Sequence, residues 1–271
     1  TISSKSINVN SCVTVQGQTC VTFNTGTVNN NGSVIAVTGS AVINANTINN
    51  NANALIQASA GNVDLQGNGA ATLSVVTLGG SNINALGGTN DIRFNPTTAA
   101  AVSVTGTGNL TAADQLILNT NGANATLTVN QIGGTLRASS TVGNLIATTA
   151  TGNLTISTIT TTGSTLATAG NGNLTVNALS GGTTVNLNVT TGGNLIASSV
   201  SGSGAITVVN NSAAVGKGAV TVSGTGLSST ASSVSVTSGA NGNITASSAI
   251  VGDTDVTLST GANGNIVLNA A

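Results

Sequence analysis

Side chains able to do chemistry are few in this chain. Its 271 residues include five Asp, two Lys, two Arg and two Cys, and no Glu, His, Trp, Tyr or Met. General acid–base and nucleophilic catalysis draw mainly on His, Glu, Asp, Lys, Tyr and Cys. Ser and Thr hydroxyls abound, but no partner stands by to activate one. The composition therefore points away from an enzyme, and no catalytic residue, cofactor or metal site is assigned. Asp253 and Asp255, in VGDTDVTL, are close enough to share a cation, but the Gly- and Asp-rich nonapeptide of calcium-binding β-rolls is absent. Solvated turn charges are the favoured reading. Asp64, Asp91 and Asp114 are too isolated in sequence to be paired. The close glycines of GTGNL at 106 and GKGAV at 216 complete neither a dinucleotide-binding nor a phosphate-loop pattern, and read as corner residues.

The two cysteines lie in SCVTVQGQTCVTF, where Val/Thr-rich halves flank Gln16, Gly17 and Gln18. A short hairpin there would bring Cys12 and Cys20 together as a local disulfide, which suggests an oxidising, extracytoplasmic setting. The alternative is two unlinked small core residues. A zinc site is less favoured, because two thiolates without His fall short of four ligands.

Charge makes up 3% of the chain, against roughly 25% in ordinary soluble domains, and the formal net charge is −1. Solubility must come from Asn, Thr and Ser. Lys5, Arg93, Arg137 and Lys217 are scattered, so a nucleic-acid partner is not expected: phosphate binding needs a basic cluster with stacking aromatics. The opening TISSKSINVN shows no basic start followed by an apolar stretch and does not read as a signal peptide. No apolar run is long enough for a transmembrane helix. A transmembrane barrel is disfavoured because only Phe23 and Phe94 are available for aromatic girdles. Disorder is disfavoured by abundant β-branched residues in regular apolar alternation.

The elements that must position these residues announce themselves by repetition. Gly-Asn-apolar recurs at residues 61, 108, 143, 152, 172, 193, 242 and 264, with intervals of 20, 21 and 22 among the later copies. A period near 21 is the mark of a solenoid. Aligned copies place corners at Gly152 and Asn153, Gly172 and Asn173, Gly193 and Asn194, Gly242 and Asn243, and Gly264 and Asn265. Gly tolerates positive φ and Asn visits the left-handed region, which suits tight corners. Four apolar columns follow: Leu154, Leu174 and Leu195; Ile156, Val176 and Ala197; Ile159, Leu179 and Val200; Leu166, Leu187 and Val208. Ile244 and Ile266 continue the first column near the C-terminus. Thr155, Thr175 and Ile196 fall between them, as outward positions on strands should.

The expected fold is all-β: a parallel β-solenoid of about 21 residues per coil, with two or three short strands each. Asn-Gly pairs at 31, 68, 121, 171, 241 and 263 leave an antiparallel pilin-like β-sandwich as the alternative. Residues 1–30 break the register and are expected to form an N-terminal capping or docking segment, with the solenoid over 31–271.

Repeats such as GNLTISTITTTGSTLATAGN and GNLTVNALSGGTTVNLNVTTG resemble those of filamentous haemagglutinin-like exoproteins and autotransporter passenger domains. The resemblance covers roughly residues 30–271. It is the resemblance that implies the right-handed sense of the β-helix, together with bacterial secretion and a role in adhesion or surface structure. The Asn-Pro-Asn motifs of the haemagglutinin secretion domain are missing; only FNPTT at 94 contains Asn-Pro.

The expectation is therefore a secreted, extracellular structural protein that self-associates into a homopolymer. The C-terminal GNIVLNAA reads as a repeat start without a cap, so a head-to-tail surface filament is the leading reading. A non-polymerising adhesin or passenger fragment facing a host or matrix surface, and an S-layer lattice protein, are the alternatives. Sequons at Asn109, Asn153, Asn173 and Asn243 follow from the GNLT repeat and say little about glycosylation. Thr126 to Thr128 and Thr158 to Thr160 raise ice binding, but these stretches do not keep the repeat register, which disfavours it.

Overall fold

A computed structural model describes residues 1–4, 6–10, 14–69, 72–95, 100–120, 123–129, 131–138 and 141–269. The protein is all-β: strands stacked in parallel form a β-solenoid of about 22 residues per turn, with no helix among the described residues. The antiparallel sandwich is not found. Asn31 and Gly32, for example, separate Thr27–Asn30 from Ser33–Ala36, and each of these strands pairs with the next turn rather than with the other. The chain divides into two compact units, Thr1–Thr141 and Val142–Ala271.

In the first unit, as far as Ala85, a turn is three short strands meeting at corners, such as Val21–Asn24, Thr27–Asn30 and Ser33–Ala36; further on, Asn109–Leu118 joins two of them into one strand. Val21 lies opposite Ala41, Thr27 opposite Thr47 and Ser33 opposite Leu55. Because side chains alternate across a strand, each of these short strands sends two inward and two outward. Inward positions stack like on like. Phe23, Ile43, Leu65, Phe94 and Leu118 form one fully buried column, which takes up both aromatic residues of the chain.

Turn length is not constant. Thr27 pairs with Thr47, Thr47 with Ser74 and Ser74 with Ser103, so each of these turns is longer than the one before, yet every pair is in register. The additional residues are taken up between strands, so the faces stay aligned while the count drifts.

Residues 1–30 join this pairing. Ile2–Ser3 and Ser6–Val9 lie parallel to Val21–Asn24 and Thr27–Asn30, and Thr14–Gly17 lies parallel to Ser33–Ala36. Strand pairing therefore continues across residue 30. Thr14–Gly17 and Val21–Asn24 are not the two arms of a hairpin, because each lies parallel to a strand of the following turn. Cys20 is an exposed free thiol, and Cys12 lies outside the described residues.

In the second unit, from Leu145 to Gly202, two longer strands complete a turn, as in Leu145–Thr151 with Leu154–Thr160, and Thr165–Asn171 with Leu174–Gly181. Leu154, Leu174 and Leu195 are in register and fully buried, as are Ile156, Val176 and Ala197. Ile159, Leu179 and Val200 follow, each no more than 2% exposed. Alternation slips between Ile156 and Ile159, where Ser157 and Thr158 both face out. That slip is how one strand serves two sides of the coil without breaking.

The fourth column is corrected. Leu166 lies opposite Ile146 and Asn186, while Ala167 lies opposite Leu187 and Leu187 opposite Val208. The buried column is thus Ala147, Ala167, Leu187 and Val208, and Leu166 is 38% exposed. The turn from Leu187 to Val208 is longer by a single residue than the turn from Ala167 to Leu187. Carrying the longer spacing back from Leu187 therefore lands on Leu166, and a one-residue slip moves a side chain to the opposite face. Ile244 is buried. Ile266 pairs with it in register but is 44% exposed, since no strand pairs with Ile266–Leu268 on its other side among the described residues.

Candidate functional site

The corners are built differently from the expectation. Gly152 and Gly193 do have positive φ, +87° and +151°. At Gly172, Gly242 and Gly264 the requirement is space instead. A Cβ on Gly172 would sit 1.9 Å from the carbonyl oxygen of Gly152, and one on Gly242 would sit 2.0 Å from that of Gly218. On Gly264 it would sit 2.2 Å from the oxygen of Gly242. Backbones of successive turns touch at this corner, and no side chain fits between them.

Nor do the corner asparagines act through left-handed backbone; Asn53, at φ +62°, is the non-glycine residue with positive φ among those described. Their side chains link turns. The amide N–H of Asn173 donates to Oδ1 of Asn153 at 2.9 Å, and that of Asn194 to Oδ1 of Asn173 at 2.8 Å. Asn265 donates likewise to Oδ1 of Asn243 at 2.9 Å, and Ala219 to Oδ1 of Asn194 at 3.2 Å.

A second set of asparagines, not singled out from sequence, lines the first unit. Asn30 and Asn50 are fully buried, and Nδ2 of Asn30 donates to Oδ1 of Asn50 at 2.8 Å and to the carbonyl of Leu55 at 3.0 Å. Gly32 N–H donates to Oδ1 of Asn30, and Nδ2 of Asn50 reaches the carbonyl of Asn82. Buried amides are tolerable only when so satisfied. On the outside, Asn49 donates to Asn29 at 2.7 Å and Asn29 to Asn8 at 2.8 Å, while Asn51 donates to Asn31 at 2.9 Å. The signal was present: TVNNN at 27 returns as TINNN at 47.

Three of the charged residues, Asp64, Asp91 and Arg93, are brought together. Asp64 and Arg93 are register partners on adjacent strands, with Arg93 3.9 Å from Asp64 and 3.2 Å from Asp91. Burial pushes the Asp64 carboxyl above its ordinary value, Arg93 opposes this, and Asp91 adds to it. Sequence reasoning left these residues apart because an insertion lengthens the turn between their strands. The arrangement closes an ion cluster on the flank of the solenoid. Asp253 and Asp255 are exposed, and no group of three or more His, Cys, Asp or Glu is placed to hold a metal ion among the described residues.

In the second unit Thr158, Thr160, Ala178, Ser180, Ser199 and Ser201 line a shallow, open trough along the bent strands. Its walls are hydroxyl and methyl groups, with nothing that titrates. What the molecule offers chemically is therefore repetition: stacked amides, stacked hydroxyls and aligned backbone. No protein-family model, curated protein or solved structure matches this chain.

Proposed function

We propose that the protein is a non-catalytic, extracellular structural protein, a subunit of a surface filament in which turn stacks on turn from one copy to the next. The observation that carries this is the sameness of the interface between turns. Each consists of parallel backbone pairing, like-on-like aliphatic columns such as Leu154, Leu174 and Leu195, and amide links such as Asn153 to Asn173. A surface of this kind is complementary to another turn of the same chain, and a contact joining opposite sides of the stack propagates instead of closing. Scarcity of charge supports close packing, since few like charges would oppose it.

Electron microscopy and size-exclusion chromatography of concentrated, folded protein test this reading. Fibres with a constant subunit repeat are expected. Persistent monomers would overturn it, and two-dimensional sheets would favour a lattice protein instead.

A further inference from the structure

The second strand of each turn in the first unit carries an outward hydroxyl at one fixed position. Thr27, Thr47, Ser74, Ser103 and Thr126 lie opposite one another in sequence order through four successive pairings, none of which contains a register shift. Two positions further along the same strands stand Asn29, Asn49, Val76, Thr105 and Thr128, again in register. The result is a two-dimensional array, two columns wide and five turns long. Its rows are about 4.8 Å apart and its columns about 6.6 Å apart, as parallel strands require.

Three properties of this array point to its ligand. None of the hydroxyls in the two columns bonds to the protein among the described residues, so all are free to accept and donate outward. The strands that carry the array, Thr27–Asn30, Thr47–Asn50, Thr72–Thr77, Ala101–Gly106 and Ala125–Val129, contain no ionisable residue. Asp64, Asp91, Arg93 and Arg137 belong to other faces or corners of the same unit. Finally, the Thr methyl groups and Val76 keep the face partly apolar while the hydroxyls and stacked amides hold polar atoms at fixed intervals. An uncharged array with no aromatic residue suits neither an ionic surface nor a stacked sugar ring. It suits ordered water, whose oxygen lattice in ice repeats at two lengths close to those of the array.

We propose that this face binds ice. The inference replaces the expectation that ice binding is disfavoured for want of a constant period: the register is kept in space although the sequence offset between rows changes from one turn to the next.

The test uses the full chain and measures thermal hysteresis and inhibition of ice recrystallisation. The protein is expected to show both. Ser74→Tyr, which plants a ring in the middle of the array, is expected to abolish them, whereas Thr155→Tyr, on an outward position of the second unit, leaves them intact. Far-UV circular dichroism checks that each variant keeps its strands. Should Ser74→Tyr fail to fold, Ser103→Ala with Thr126→Ala removes hydroxyls without adding bulk and is expected to lower the activity. The proposal is overturned if the unaltered protein shows neither effect, if folded array variants retain full activity, or if the chain binds crystalline cellulose or chitin while leaving ice growth unchanged.

Discussion

Between Val21 and Ala58 each turn is cut into three short strands, whereas between Leu145 and Gly202 two strands of roughly double that length complete it. The aliphatic columns are alike in both regions. What differs is how the chain changes direction: the first region ends short strands on buried asparagine amides such as Asn30 and Asn50, whereas the second, beside its Gly-Asn corners, bends a continuing strand by letting burial slip at Ser157 and Thr158. The inner column thus holds the turns together, and the polar residues decide where the faces begin and end.

The largest test of this division is truncation of the columns. Leu65→Ala in the first unit and Leu174→Ala in the second, both fully buried, should each lower stability by about 2–5 kcal/mol in urea denaturation. Unequal effects would break the claim that the columns are equivalent. Leu166→Ser, one residue off its column and exposed, should change stability by no more than about 0.5 kcal/mol.

Next come the corners. Gly172→Ala drives a Cβ into the Gly152 carbonyl and should destabilise by about 1–3 kcal/mol. Gly79→Ala, whose added carbon would meet nothing closer than 3.6 Å, should be nearly neutral. Thermal melting of both variants separates a corner that needs space from one that does not.

The amide ladder should reveal itself as coupling. Asn30→Ala or Asn50→Ala alone leaves buried groups unpaired and should lose about 1–3 kcal/mol. Combining them should lose less than the sum, by about 0.5–3 kcal/mol in a double-mutant cycle. Strict additivity would mean that the two amides are not acting as a ladder.

The smallest effect concerns pH. Because the folded Asp64 carboxyl titrates above its ordinary value of 3.8, the folded state holds that proton longer than the unfolded chain does. Its contribution to stability is therefore greatest below the ordinary value and falls as pH rises through the raised one. Asp64→Asn should flatten melting temperature against pH in that window, and an unchanged slope would remove Asp64 as its source.

Much of the second unit from Leu145 to Val208 could be read from the sequence because its turns there vary little in length. Leu154, Leu174 and Leu195 recur at nearly even spacing, and apolar positions at Leu154, Ile156 and Ile159 already contained the strand's bend. Leu166 was misplaced because a single-residue change in turn length reverses facing. In the first unit, insertions at the corners hid the hydroxyl array and the approach of Arg93 to Asp64. Those contacts depend on which strands are neighbours, a property that spacing along the chain does not carry once corners vary.

Interstrand nuclear Overhauser contacts across a lengthened turn therefore test the central claim most directly. In the folded chain, contacts of Leu73 with Val102, Ser74 with Ser103 and Val75 with Val104 are expected. Contacts at the repeat spacing of the second unit, such as Ser74 with Asn95, would contradict the claim that the faces keep register while the chain length between them changes.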